Sequence, residues 1–259
     1  MAANKGSVTT GWHWLALLGI ACAPSATAFQ VCVGDVPVPP FISGDPKQPG
    51  TTERLMLDAG RQVGLPVELV RWPARRCYEQ MRLGQIEAGV AAAIPANLQD
   101  FDFPGSPPGD PQMRIARTGI VLVKRQDQGM QWDGRKLALP QGQVPRVGAR
   151  AGFRAGVEAI RRLGLELTPG PNQSAQVLRM LQLGRVDLAV LVQDEAEALL
   201  ARPEFTSLAV MDPPLVMSDF CIMTVRQLPE PVRQKVRRWW ELMAQWRDLP
   251  AYRAPAPGP

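Results

Sequence analysis

The stretch MRLGQIEAGVAA at residues 81–92 has a counterpart in LQLGRVDLAVLV at residues 181–192. Each stretch closes a helix-like run with Leu-Gly and continues with a polar residue, a branched apolar residue, an acid and an apolar run. Glycine just beyond a helix is typical of a helix end, and the apolar run is typical of a buried strand. One structural plan therefore occurs twice, and the pattern predicts capping and strand-start roles rather than chemical ones for Gly84, Gly184, Glu87 and Asp187.

Around these stretches the order β-α-β-α-β is predicted twice. In the first set, Thr51 or Thr52 is expected as the N-cap of the first helix, Gly64 as its stop, and Pro73 near the first turn of the second helix. The five segments of the first set, from strand to strand, are FQVCVGDVPVPPF, TTERLMLDAGRQVGLP, VELVRW, PARRCYEQMRLG and IEAGVAAAIP. Those of the second set are RVGARAGF, GVEAIRRLGL, LELTPG, SAQVLRMLQLG, which Ser174 opens, and VDLAVLV. Strands that alternate with helices need crossover connections, so the predicted fold class is α/β, with mostly parallel sheets flanked by helices.

Composition and charge exclude some classes of protein. Of the 259 residues, 46% are hydrophobic and 20% are charged, which is ordinary for a globular chain and too apolar for a disordered one. The net charge of +5 is spread along the chain without a long basic block, so nucleic acid is not an expected partner.

The N-terminus predicts export. Lys5 precedes the apolar run WHWLALLGIACA, which is too short to span a bilayer, and Ala26-Thr27-Ala28 supplies a small-x-small cleavage signal. Residues 1–28 are therefore predicted to be a cleaved signal peptide, and the location to be periplasmic. Lipidation at Cys22 is an alternative.

Removal of that leader restricts the available chemistry. The one histidine of the chain, His13, leaves with it, so no Ser-His or Cys-His pair and no histidine metal ligand is expected in the mature protein. No Walker loop, Cys-x-x-Cys pair or Gly-x-Ser-x-Gly elbow is present. Neither a metal nor another cofactor is predicted.

Four segments carry a resemblance to a known family: RWPARRCYEQMRLGQIEAGVA, VGARAGF, LGRVDLAVLV, and MDPPLV running into SDFCIMTV. Together they resemble periplasmic solute-binding proteins of family 3, the amino-acid-type receptors of ABC importers, in a proteobacterial branch with a Trp-Pro-x-Arg-Arg-Cys-like motif and a Trp-Asp-Gly at 132–134. The resemblance covers almost the whole mature chain. It implies a two-lobed, type II periplasmic-binding-protein-like fold.

The resemblance also implies an organisation and partners. Lobe 1 would comprise residues 29–118 together with the returning segment 224–259, and lobe 2 residues 119–223. TGIVLV (118–123) and DFCIMT (219–224) would be the hinges, and Trp239, Trp240 and Trp246 would pack the C-terminal helix. The expected partners are a small-molecule solute and an ABC-transporter membrane component, and the expected state is a monomer.

The ligand site departs from the family pattern. Amino-acid receptors of this family carry an arginine after the third strand of lobe 1 that binds the ligand carboxylate, whereas here Asn97 or Gln99 occupies that place. A replacement cation could come from Arg75, Arg76, Arg114, Arg117 or Arg150, although Arg75 and Arg76 could equally be solvated. We therefore expect a ligand other than an ordinary α-amino acid.

Further site residues follow from the same resemblance. Gly152 would keep a close backbone approach suited to an anion, and Phe153 would favour apolar or aromatic ligands. Asp194, with Glu195 beside it, would bind an amine, or else Asp194 would be the N-cap of the next helix. In lobe 1 the candidates Asp35, Phe41 and Trp72 would either line the cleft or pack on the surface of the lobe.

Cys32 and Cys77 form a separate hypothesis. In the strand order expected for such a lobe, the helix at 74–83 lies over the first strand, and export permits oxidation. A disulfide between them would add about 3–5 kcal/mol by the chain-entropy model. Two buried thiols are the alternative.

Three functions are compatible with these features. The first is a non-enzymatic receptor that closes on a small solute. The second is an enzyme of the same scaffold, a lyase resembling cyclohexadienyl dehydratase, which would need a cleft acid such as Glu195 or Asp194 with a raised pKa. The third is an accessory or sensory periplasmic protein.

Overall fold

The computed structural model of the chain describes residues 1–2, 28–139 and 144–253. His13, Cys22 and the apolar run of the predicted leader lie outside the described residues. Within the described part, no helix combines the length and the apolar character that a membrane crossing requires.

The first β-α-β-α-β unit forms as the sequence predicts. Its strands pair in parallel, with β1 between β2 and β3. The elements are β1 (Phe29–Cys32), α1 (Thr51–Gln62), β2 (Val67–Val70), α2 (Ala74–Arg82) and β3 (Ala88–Ala92), followed by α3 (Pro95–Asp100). We call residues 29–100 the first unit.

The start of α1 differs from the prediction by one residue. Gly50, not Thr51 or Thr52, is the N-cap. The reason is a carboxylate: Glu53 is fully buried and accepts hydrogen bonds from the Gly50 N–H at 2.7 Å and from the Ser43 N–H at 2.9 Å. Glu53, the third residue of α1, thus accepts the backbone N–H of the N-cap residue Gly50, which is the Glu half of a capping box.

A second unit of the same order follows at residues 147–200. Its three strands also pair in parallel, with the first of them between the other two. Its elements are β7 (Val147–Gly148), α4 (Arg154–Arg162), β8 (Leu167–Thr168), α5 (Ser174–Gln182) and β9 (Leu188–Val192), followed by α6 (Gln193–Leu200).

Two long antiparallel strands carry the chain between the units. β4 (Ala116–Arg125) leads from the first unit towards the second, and β10 (Leu208–Thr224) returns. They occupy the middle of one eight-stranded sheet, whose order is β2-β1-β3-β10-β4-β9-β7-β8. The mixed α/β class is confirmed, and the two parallel units lie on opposite sides of the two crossing strands.

The remaining elements are short, except for the last helix. β5 (Gln131–Trp132) and β6 (Leu137–Ala138) form a hairpin that is tied to β10, since the Trp132 indole donates to the Pro213 carbonyl at 2.7 Å. Two 3-10 turns lie at Pro111–Met113 and Pro203–Phe205, and α7 (Glu230–Trp246) closes the described chain.

The last helix packs on the first unit. Trp239 is fully buried, meets Phe29 edge to face at 5.8 Å between ring centroids, and donates its indole hydrogen to the Met56 carbonyl at 2.9 Å. Trp240 packs against the same core, and Trp246 stacks on Tyr252.

The repeated Leu-Gly stretches have the structural roles predicted for them. Gly84 and Gly184 follow α2 and α5 at φ of +67° and +65°, a backbone region that disfavours side chains. Glu87 accepts the Gln30 N–H at 2.8 Å, and Asp187 pairs with Arg146 at 3.0 Å.

A disulfide joins β1 to α2. The sulfur atoms of Cys32 and Cys77 are 1.99 Å apart, and their Cα atoms are 5.9 Å apart. Both residues are buried in one core cluster with Met81, Phe101 and Met223. The remaining described cysteine, Cys221, is buried as a free thiol, and burial raises the pKa of that thiol to about 12.

Candidate functional site

Two adjoining cavities lie where the units face each other. The larger, about 100 Å³, is lined by residues of both units and of the crossing strands, among them Phe41, Thr52, Thr118, Val192 and Phe220. The smaller, about 80 Å³, lies against the disulfide and the start of α2. Both cavities share a wall formed by Val33, Val38, Val90 and Arg150. We call the pair the cleft.

Three of the predicted site residues line this cleft. Phe41 lines the larger cavity, Asp35 lines the smaller, and Arg150 lines both. Arg150 follows β7, so it lies at the carboxyl end of a strand, where α/β folds place ligands.

Arg150 has a buried acid beside it. Its Nε lies 3.8 Å from Oε2 of Glu195, and the two side chains are 15% and 1% exposed. Neither Glu195 oxygen has a well-formed hydrogen bond among the described residues, and the Arg150 Nε also lacks one. The two groups thus lie close together beside the cleft wall, each with unused hydrogen-bonding capacity.

The environment of Glu195 favours its neutral form. Burial raises the pKa of this carboxyl, and the charge of Asp35 raises it further, against the opposing effects of Arg150 and the Ser174 hydroxyl. A carboxyl in such surroundings can hold a proton at a pH where an ordinary glutamate is ionised.

Gly152 and Phe153 position the second unit against the first. Phe153 is buried beneath Arg150, whose guanidinium carbon lies 5.2 Å from the ring centroid. Gly152 adopts φ +80°, and a Cβ there would lie 2.6 Å from the Arg75 backbone nitrogen and 3.1 Å from the Ala74 carbonyl carbon. The units therefore meet backbone to backbone at this point.

Asp194 lies in the first turn of α6 and accepts a hydrogen bond from the Thr118 hydroxyl of β4. The N-cap of α6 is Val192, so the alternative role of Asp194 as an N-cap is wrong. Burial raises the pKa of Asp194, although the Thr118 hydrogen bond opposes the shift. The half-buried Asp194 side chain is therefore hydrogen-bonded to the crossing strand β4.

Asn97 is used within the protein. It is fully buried, donates through Nδ2 to the Ala92 carbonyl at 2.9 Å, and accepts through Oδ1 from Arg154 at 2.9 Å. Both ends of the amide are occupied, so Asn97 has little capacity left for a solute carboxylate.

Three other predicted residues lie away from the cavity walls. Trp72 is covered by Arg76, whose guanidinium carbon lies 4.1 Å from its ring centroid. Arg75 is exposed and pairs with Glu79 on its own helix at 2.9 Å. Gln99 is exposed on α3, and its carbonyl accepts from Arg226.

Arg114 and Arg117, the further candidates for a replacement cation, both lie near Asp219, at 3.6 and 3.8 Å. Of the five arginines considered from the sequence, Arg150 is the one that lines the cleft.

The sequence did not reveal the part played by Arg154, the first residue of α4. Its side chain crosses to the first unit, where it contacts Asn97, Asp100 and Tyr78. The feature of the sequence that could have pointed to Arg154 is its position directly after Gly152 and Phe153. The replacement cations considered from the sequence were Arg75, Arg76, Arg114, Arg117 and Arg150, so Arg154 was missed.

Comparison with known proteins identifies the fold. No protein-family model matches the chain, and no curated protein does. Among solved structures, the substrate-binding protein of an amino acid ABC transporter aligns with a TM-score of 0.65 at 14% identity, covering 86% of this chain and 94% of that one.

Two further structures extend the comparison. A histidine kinase sensor domain with similarity to periplasmic binding proteins aligns with a TM-score of 0.63 at 18% identity, covering 86% of this chain and 91% of that one. The GluR0 ligand-binding core from Nostoc punctiforme, in complex with L-glutamate, aligns with a TM-score of 0.62 at 14% identity, covering 86% and 95%.

These likenesses define the class of fold. The chain has the two-unit α/β fold of periplasmic-binding-protein-like solute-binding domains, as the sequence predicts. The three neighbours are binding or sensor proteins rather than enzymes.

Proposed function

We propose that this protein is a periplasmic solute-binding receptor whose two units act as lobes that close on a small molecule and present it to a membrane transporter. Lobe 1 is residues 29–118 with the returning segment 224–259, and lobe 2 is residues 119–223. β4 and β10 serve as the hinge strands. The observation that carries this proposal is Arg150, which lines both cavities of a cleft whose walls come from both units.

The composition of the cleft supports a particular kind of ligand. Asn97 lines neither cavity, and its amide is already hydrogen-bonded at both ends, whereas the Arg150 guanidinium lines both cavities and lies next to Glu195. Position 97 of lobe 1 therefore offers no arginine that could bind a ligand carboxylate through two hydrogen bonds. The solute is a small molecule other than an ordinary α-amino acid, bound by Arg150, Asp35 and Phe41, with Phe153 beneath Arg150 and with Gly152 and Asp194 outside the cavity walls.

A thermal-shift screen tests this proposal. The panel comprises amino acids, small organic acids, small aromatics and polyamines, each at about one hundred times the weakest dissociation constant of interest, where binding stabilises by about 2.7 kcal/mol. We expect at least one compound outside the α-amino acids to raise the melting temperature, and Arg150→Ala to abolish that shift. Arg161→Ala, at an exposed site on α4, is the control. Micromolar binding of several ordinary amino acids would refute the ligand class, and no shift with any compound would oppose the receptor role.

One observation favours an enzyme as the second candidate. Glu195 is a buried acid with a raised pKa next to Arg150, which lines the cleft, and a raised pKa is one requirement for a general acid. Turnover of prephenate or arogenate by the purified protein, lost in Glu195→Gln, would establish a lyase. Solute binding without turnover supports the receptor.

A sensory role is the third candidate. It is suggested by the structural likeness to a histidine kinase sensor domain. Closure of the units without measurable affinity for any compound of the panel would favour it.

A further inference from the structure

Arg154 joins the two units through three hydrogen bonds. Its Nη1 donates to Asn97 Oδ1 at 2.9 Å, to Asp100 Oδ2 at 2.9 Å and to the Ala96 carbonyl at 3.3 Å. All three acceptors belong to α3 of the first unit, whereas Arg154 begins α4 of the second.

The same guanidinium also stacks on an aromatic ring. Its carbon lies 4.3 Å from the ring centroid of Tyr78 on α2. Burial raises the pKa of Tyr78, so the ring is an uncharged platform below alkaline pH, and the Arg154 charge opposes that rise. A cation over a partly desolvated ring adds attraction to the hydrogen bonds.

Asp100 is held in its charged form. Burial alone would raise its pKa, but hydrogen bonds from Arg82 and Arg154 outweigh that effect and leave the pKa below its usual value. The Arg154 and Asp100 side chains are 21% and 26% exposed, so solvent screens their attraction only in part.

We infer that Arg154 is a positioning residue that latches the two lobes together in the absence of solute. This inference rests on the proposed hinge motion about β4 and β10. The latch connects α4 to α3 and α2. Arg154, Asn97 and Asp100 line neither cavity, and Tyr78 is the one latch residue that lines the smaller cavity. The hydrogen bonds from Arg154 to α3 therefore stabilise the closed arrangement whatever the cleft contains. A receptor of this kind binds solute with an apparent dissociation constant equal to the intrinsic constant divided by the closed fraction.

The consequence separates Arg154 from residues that contact solute. Loss of the latch lowers the closed fraction, so affinity falls by one common factor for every solute. If the closed fraction falls to about one tenth, each dissociation constant rises about tenfold. A residue that contacts solute would instead change the ranking of solutes.

The experiment measures closure without solute. Spin labels are placed on cysteines introduced at two exposed positions, Gln99→Cys in α3 and Glu166→Cys after α4, and their distance distribution is recorded by pulsed electron resonance. Cys32 and Cys77 are bonded and Cys221 is buried, so the introduced cysteines are the reactive ones among the described residues. We expect one short distance in the parent protein and a longer one in Arg154→Met, which keeps an apolar stem over Tyr78.

The control variants are matched to the change. Arg161→Met removes an exposed arginine of the same helix and is expected to leave the short distance unchanged. Asp100→Asn should lengthen it, and Arg154→Lys, which retains charge without the planar fork, should give a mixture of both distances. Thermal unfolding of each variant shows that it is folded before its distances are compared.

The outcomes are decisive in both directions. An unchanged short distance in folded Arg154→Met overturns the latch, even if the screen finds a solute. A lengthened distance supports the latch, even if the screen finds none, so failure of the latch and failure of the receptor role are distinguishable.

Discussion

Guanidinium groups reach the space between the units from the second unit. Arg150 lines both cavities, and Arg154 crosses to α3, where the sequence has Asn97 instead of the arginine that the family resemblance implies. In place of that arginine, Asn97 turns its amide towards Ala92 and Arg154. The cationic groups between the units are thus Arg150 and Arg154 of the second unit, and Glu195 is the buried acid beside Arg150.

The protonation of Glu195 predicts a pH dependence of stability. Its folded-state pKa is raised by burial, so the folded protein holds this proton more firmly than the unfolded chain does. The contribution of this proton to the free energy of unfolding is fully present below the unfolded-state pKa of about 4.3. It is lost as the pH rises through the raised folded-state pKa. We expect the parent protein to lose stability relative to Glu195→Gln across that interval.

Urea unfolding at a series of pH values measures this difference. Glu166→Gln, at an exposed position, is the control and should parallel the parent protein. Parallel curves for the parent protein and Glu195→Gln would contradict a raised pKa at this carboxyl.

The disulfide between β1 and α2 shows which features of an element can be predicted from a local sequence pattern and which cannot. Periodicity and the Leu-Gly stops located both helices and the parallel strands, because each pattern is local. The disulfide required the strand order as well, since Cys32 and Cys77 meet only when α2 crosses over β1.

The cross-link should be a large contributor to the stability of the first unit. It bridges a sequence separation of 45 residues, for which the chain-entropy model gives about 4 kcal/mol. Reduction should therefore lower the melting temperature clearly, and the Cys32→Ala/Cys77→Ala variant should melt at the same temperature with or without reductant.

Thiol titration under denaturing conditions checks the bond directly. Cys32 and Cys77 should stay unreactive until reductant is added, while Cys221 reacts at once. Immediate reaction of all three would contradict the disulfide and return the pair to two buried thiols.

The individual contacts of side chains, local as well as distant in sequence, were the part that sequence reasoning could not supply. The N-cap of α1 was misassigned because Glu53 caps Gly50 from inside the helix. Trp72 and Arg75 were equally plausible as cleft or surface residues, because their surroundings depend on Arg76 and Glu79. The side chain of Arg154 reaches a partner 54 residues away at Asp100, a distance no periodicity encodes.

The described chain as a whole is built on one eight-stranded sheet, with two similar units on either side of two crossing strands. Because β4 and β10 join the two units, the units can rotate relative to each other when these two strands bend. The closed contact at Gly152 and the Arg154 latch are then features of the same state. The central claim is that the units must approach each other to hold a solute.

Calorimetric titration of the strongest compound from the screen into Gly152→Ala and Gly164→Ala tests that claim most directly. Both glycines have positive φ, +80° and +70°, so alanine strains either one by about 1–2 kcal/mol. A Cβ at 152 would also collide with the start of α2, whereas a Cβ at 164 meets nothing within 4 Å. We predict a dissociation constant about tenfold weaker or more for Gly152→Ala and one within about twofold of the parent for Gly164→Ala. Equal affinity in the two variants would contradict closure of the units on the solute.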